Sequence, residues 1–186
     1  MCGRYYVEPD DQYLELYAKA QRLHKLPLDL PKAKDVFPGE KALALGLSSQ
    51  GVFPGFLTWG YPGFQDKLLI NTRIETIKDK EIFKTSFEKY RCALVANGFY
   101  EWDSKHQKYF ITGKDKLFYL AGIFEPRSKG FSIITRDSYG ELASIHPRSP
   151  IILNEKQATA YCEKSLDYSI LSSLTPEQIL QIASNV

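Results

Sequence analysis

This chain of 186 residues is poor in the residues that usually announce a function. It has three cysteines, three histidines, one methionine and two tryptophans. Cys2, Cys92 and Cys162 are too few and too scattered for a disulfide framework, and their odd number suits a reducing compartment. No C-x-x-C or H-E-x-x-H spacing occurs. With His24, His106 and His146 far apart, a metal site would have to lean on carboxylates. No apolar run approaches the roughly 18 residues of a membrane span. The opening MCGRYY has no apolar signal region, so the expected location is the cytoplasm, beside the nucleoid in a bacterium. A strong charge of one sign is missing as well. The 24 basic and 22 acidic residues leave +2, which alone does not point to nucleic acid.

What the chain does have is apolar and aromatic bulk. Hydrophobic residues make up 44%, with twelve tyrosines and eleven phenylalanines, enough for one domain over residues 1–186 with a real core. Pro9-Asp10-Asp11 reads as a helix start, followed by Leu14, Tyr17 and Ala18 at helical spacing. Prolines 27, 31 and 38 then break the chain into loop. Strands are expected over Lys41–Ser48, Phe56–Tyr61, Leu68–Ile74, Arg91–Ala96, Phe99–Trp102, Tyr109–Thr112, Leu117–Phe124, Phe131–Thr135 and Ile151–Leu153. Asn97-Gly98 reads as a turn. Glu81–Lys89 fits a short helix showing Phe83 and Phe87, and Ser138–Ile145 a helical turn. Asn154 caps another helix, and Thr175-Pro176-Glu177 opens a last one. There is no repeat and no linker. The sum is a strand-rich α+β domain with peripheral helices.

Four positions could carry chemistry. Removal of Met1 is favoured by the small Cys2-Gly3 behind it. It would leave Cys2 with an amine and a thiol on adjacent carbons. The free amine is partly neutral near pH 7, so it can attack an aldehyde to form an imine. The thiol can then close a five-membered thiazolidine, helped by its high effective concentration. On a strand, Asn71, Arg73 and Glu75 would share one face, either a site floor or a solvated surface. Glu101, between Tyr100 and Trp102, would become a proton shuttle if desolvated. His146 lies in a loop stiffened by Pro147 and Pro150, with Arg148 beside it to hold an anion. Arg4, Arg73 and Arg148 could form a phosphate track, and Trp59, Tyr61 and Phe64 a stacking wall. Each also has an ordinary reading, as core aromatic or solvated charge.

As an ordered set, these segments resemble the SOS-response-associated peptidase (SRAP) family of abasic-site processing proteins. The matching elements are MCGR, Pro38-Gly39, Trp59-Gly60, INTRIET around Asn71, GFYEW around Glu101 and GELASIHPRSPIIL around His146, from residue 1 to about 163. The resemblance implies a compact α+β domain with a β-barrel-like core and a basic groove. It implies that Cys2 forms a thiazolidine with an abasic site in single-stranded DNA. Asn71 would hold the linkage, and Glu101 and His146 would move protons. Arg4, Arg73 and Arg148 would face the DNA backbone. The family's peptidase label corresponds here to removal of Met1, and lyase activity would follow from an imine that fails to close. A monomer without metal or organic cofactor, and without a membrane partner, is expected. Where the family commonly has His-Asp-Arg-Met-Pro, this chain has His146-Pro147-Arg148-Ser149-Pro150, and the family's usual final strand is not evident. Two other readings fit the residues. One is an N-terminal-cysteine glutaminase using Asn97-Gly98 as an oxyanion hole; the other is a non-catalytic single-strand binder.

Overall fold

In the computed structural model the described residues are 2–26, 29–113, 115–174 and 180–184. Alternating apolar residues make the strands. Chain order gives β1 (Tyr5–Val7), α1 (Asp11–Leu23), β2 (Lys34–Val36), β3 (Lys41–Ser48), β4 (Gly51–Trp59), β5 (Tyr61–Pro62), β6 (Leu68–Leu69) and β7 (Asn71–Arg73). There follow α2 (Glu81–Lys89), β8 (Arg91–Ala96), β9 (Gly98–Trp102), β10 (Lys108–Gly113), β11 (Phe118–Glu125) and β12 (Gly130–Asp137). The remainder is α3 (Leu142–Ile145), β13 (Arg148–Pro150), β14 (Ile152–Leu153), α4 (Glu155–Cys162), α5 (Tyr168–Ser173) and β15 (Leu180–Ser184).

Five of these strands close on themselves. β12 lies parallel to β4, β4 pairs with β3, β3 with β8, β8 with β11, and β11 returns to β12. Closure leaves these strands no free edge and explains why β8 is a continuous apolar run: Cys92–Ala96 are all buried. β7, β13 and β14 extend the ring. A second, five-stranded sheet runs β15-β10-β9-β1-β2. Trp59 is the hub between the layers. Its ring stacks on Phe131 (centroids 6.0 Å apart) and tilts onto Tyr5 (5.3 Å), and its Nε1 donates to the Ile70 carbonyl at 2.9 Å. Burial of such a ring contributes about 1.5–3 kcal/mol.

Local signals set the helices. Asp10 accepts from the Tyr13 amide at 2.8 Å and starts α1. Asn154 and Gln157 bond reciprocally in a capping box that starts α4. Other expectations are corrected. Asn97-Gly98 is no hairpin turn: Asn97 is the single residue between β8 in the ring and β9 in the other sheet. Its side chain accepts from the Glu8 amide (2.7 Å) and donates to the Lys116 carbonyl (2.7 Å), so it joins three segments and is not free to serve as an oxyanion hole. Gly98 is needed because a Cβ there would collide with the Phe110 ring. The expected strand over Leu68–Ile74 breaks into β6 and β7 and then a 3-10 turn over Ile74–Thr76. The expected helix start at residues 175–177 lies outside the described residues, and beyond it β15 pairs with β10. No described helix is long and apolar enough to cross a membrane.

Candidate functional site

β1 carries Cys2 to the seam between the two sheets. Tyr5 faces Phe99 in antiparallel register, and the Tyr100 amide donates to the Arg4 carbonyl at 3.0 Å. Continuing that register brings Cys2 alongside Glu101 and Trp102. From the other side, β7 lies parallel to β12 with Asn71 level with Ile133. Asn71 Nδ2 donates to the Cys2 carbonyl at 2.8 Å. α3 ends at Ile145, and the turn into β13 delivers His146, whose Nδ1 is 4.0 Å from Glu101 Oε2. The fold therefore collects Cys2, Asn71, Glu101 and His146 from four separated segments.

Burial shapes their chemistry. Cys2 is fully buried. Desolvation, and then the nearby Glu101 charge, hold its thiol well above the ordinary range, so Cys2 rests as SH and not as thiolate. Glu101 is 2% exposed. Burial pushes its carboxyl up, and the opposing pull of the N-terminal amine, then of His146, offsets only part of that rise. The His146 Nδ1 lies 3.0 Å from the Arg148 amide nitrogen and 2.9 Å from the Arg148 carbonyl oxygen, so the ring is held by the backbone of its own loop. Asn71 Oδ1 is buried and has no hydrogen-bond partner among the described residues. An open pocket of 610 Å³ reaches Glu101 and His146. It is lined by Glu101, Trp102, His106 and the stretch Ala143–Pro147. Sequence reasoning missed His106 at this rim. It stands in left-handed backbone (φ +62°), fixed by its amide donating to the Asp103 carbonyl at 3.0 Å, and nothing in its Lys-rich surroundings signals that.

The remaining expected residues divide. Arg73 is exposed. Arg4 is half-buried over the rings of Phe37 (4.8 Å) and Trp102 (5.5 Å), with Asp35 3.6 Å from its Nη1. Arg148 does not join an open phosphate track. It is 8% exposed, and its Nη1 and Nη2 bond Glu75 as a fork at 2.8 and 2.9 Å. Asp137 at 2.6 Å and the Thr135 carbonyl at 2.8 Å take further donors. Glu75 reaches it because the 3-10 turn after β7 swings that side chain off the Asn71–Arg73 face. Trp59 cannot meet DNA, since it is fully buried, and Tyr61 is buried too. Of the three expected wall aromatics only Phe64 is open, at 81% exposure on the β5–β6 hairpin. Among the described residues no cluster of three His, Cys, Asp or Glu could hold a metal ion.

The described residues thus form a closed barrel with a flanking sheet and, at their seam, a buried second-position cysteine near a carboxylate and an imidazole. The chain belongs to the family described as SOS response associated peptidase (SRAP), which matches residues 1–183. It is 30% identical to the abasic site processing protein YedK of Escherichia coli, over 89% of this chain and 81% of that one. Against YoaM of Bacillus subtilis, also named an abasic site processing protein, identity is 32% over 82% and 75%. Against the rat protein HMCES of the same description it is 31%, over 69% of this chain but only 47% of that longer one. In fold it is similar to a phage-related protein of Bordetella bronchiseptica (TM-score 0.75, 25% identity, 98% and 93% covered). A Bacteroides thetaiotaomicron protein shares the fold at TM-score 0.74 and 22% identity, with 98% and 91% covered.

Proposed function

We propose that this protein processes abasic sites in single-stranded DNA by covalent capture on Cys2 once Met1 has been removed, by itself or by an aminopeptidase. The observation that carries this is the placement of Cys2: buried as a thiol, bonded through its carbonyl to Asn71, and set beside the Glu101–His146 pair. The names of its relatives point the same way.

The ring-opened abasic sugar presents an aldehyde. The Cys2 amine adds to that carbon, and a proton from Glu101 or from His146 helps the hydroxyl leave as water, giving the imine. The Cys2 Sγ then adds to the same carbon. Its proton ends on the nitrogen, and the five-membered ring is complete, with one water released and no oxidant involved. A thiol that rests protonated suits this order, because amine attack comes first. Asn71 Nδ2 keeps Cys2 in place, and its unpartnered Oδ1 is available to accept the ring N–H. The closed ring masks the aldehyde against β-elimination, and an imine that stalls gives lyase products. Arg4 and Arg73 serve the phosphates and Phe64 stacks on a base, while Arg148 works from behind as the anchor of the His146 loop. The protein acts as a monomer and uses no cofactor.

Untagged protein, with Met1 loss verified by intact mass, is incubated with single-stranded DNA carrying one abasic site and run on a denaturing gel. A slow band that needs both the lesion and Cys2 is expected. Cys2→Ser should form only a labile imine and more strand cleavage. A stable band of equal yield from Cys2→Ser would rule out the ring.

A further inference from the structure

The sheet β15-β10-β9-β1-β2 has two unlike faces. Its inner face carries the buried Phe99, Glu101 and Ile111. A solvated sheet face is normally polar, yet the outer face here is aromatic. Strand alternation puts Tyr100 and Trp102 there, with Phe110 opposite Tyr100 and Lys108 opposite Trp102. Tyr6 on β1 completes a row. Its rings touch in series: Trp102 to Tyr100 at 6.5 Å, Tyr100 to Phe110 at 4.8 Å and Phe110 to Tyr6 at 5.8 Å. All four are only partly buried. The longer helices pack elsewhere, α1 on β4, α2 on β8 and β11, and α4 on β3, β8, β11 and β14. Cations flank the row. The Arg4 guanidinium lies 5.5 Å from both the Tyr100 and Trp102 rings, and Lys108 Nζ is 5.2 Å from Tyr100. Two acidic groups also face the row: Asp35, 3.6 Å from Arg4 and close to Tyr100 and Tyr6, and Glu8, close to Tyr6. Trp102 also lines the pocket of Glu101 and His146, so the row begins at the pocket's mouth.

We infer that this outer face is a stacking platform for the single strand that leaves the lesion pocket, holding successive bases on Trp102, Tyr100 and Phe110 and their phosphates on Arg4 and Lys108. This rests on the proposed capture of abasic DNA. Rings interleaved with cations suit unpaired bases and their phosphates together, whereas a protein partner would use the rings but has no phosphates for the cations. Binding is tolerant of sequence, because every base has a π-face. A base pair in a duplex cannot open its face to such a row.

The test uses full-length Cys2→Ala protein and fluorescent oligonucleotides carrying a tetrahydrofuran analogue of the abasic site, which has no aldehyde for the amine to attack, lengthened on one side of the lesion or the other. Affinity should rise with single-stranded length on one side only. Phe110→Ala should remove roughly 5- to 150-fold of that gain, and Lys108→Glu should flatten the salt dependence by about one unit of slope. Lys108→Glu keeps the test open if Phe110→Ala fails to fold. Unchanged affinity of both variants for the long strand, or an equal gain from duplex extension, overturns the platform. The Cys2 protein reports separately. If it captures the lesion while both variants bind normally, the platform fails and the capture stands. If no crosslink forms yet undamaged strands bind through Phe110 and Lys108, the platform stands and the capture fails.

Discussion

His146 and Arg148 are two residues apart, and each is paired with a glutamate, yet the two pairs are built oppositely. Arg148 and Glu75 meet as a bidentate fork at 2.8 and 2.9 Å, with Asp137 and the Thr135 carbonyl filling other donors. His146 and Glu101 stand 4.0 Å apart, facing an open pocket. A guanidinium never gives up its proton, so the first pair can only hold. An imidazole and a desolvated carboxyl with space between them can exchange protons with a third group. One short segment thus supplies one member of a fixed corner and one member of the pair proposed to move protons. The two are joined, because the Arg148 backbone contacts the His146 ring.

Replacing each imposes different losses. His146→Ala should slow crosslink formation by roughly 10²- to 10⁴-fold, the usual range for a lost acid–base group. It removes one hydrogen bond to the Arg148 amide and should cost only about 1 kcal/mol of stability. Single-turnover crosslinking and urea unfolding measure the two. A variant that loses stability in proportion to rate would move His146 from the reactive pair to the scaffold, and the contrast would collapse.

Glu75→Ala should show the reverse. Arg148 is buried while Asp137 still bonds it, so the loss is set at about 2–3 kcal/mol, below that of a wholly unpaired buried charge. The crosslinking rate of the folded protein should fall by less than about tenfold, well short of a lost acid–base group. The pH dependence sharpens this. Burial would raise the Glu75 carboxyl, but the Arg148 hydrogen bonds outweigh it and hold the group below its ordinary value. Its contribution is therefore full above the unfolded value of about 4.3 and lost as pH falls through the folded one. Glu75→Ala should flatten the acid limb of the stability curve. An unchanged acid limb would mean that the fork is dispensable.

The same division governs what could be read from the residues alone. α2, β3 and β8 match their expected bounds, because their apolar spacing and their packing agree. The Asp10 and Asn154 caps were legible for the same reason. Asn97-Gly98 was misread because the local signal for a turn is the same whether the chain reverses or crosses between sheets. Trp59 and Arg148 were misassigned as DNA contacts because ring and charge suit a hub or an ion pair as well as a ligand. Only burial decides, and burial depends on contacts distant in sequence. The four candidate residues were singled out in the sequence for the chemistry that their side chains, and Cys2's amine and thiol, could carry. Their convergence was not, since it depends on β7 joining β12 and on β1 lying against β9.

The smallest effect expected is also the one that most directly separates the pairs. Glu101 is raised by burial, the opposite of Glu75. Below about pH 4.3 the carboxyl is protonated in folded and unfolded chains alike. Above that, the unfolded chain ionises first, so the native protein loses stability as pH rises until the folded value is passed. Glu101→Gln keeps the shape and removes this penalty. It should gain roughly 0.5–2 kcal/mol at pH 8, the usual size of a stabilising substitution, and nothing at pH 4, while slowing the crosslink. Thermal unfolding at the two pH values reads the difference. A variant that is less stable at pH 8 would show that ionised Glu101 is held as firmly as Glu75, and that the reactive pair is a second fixed corner.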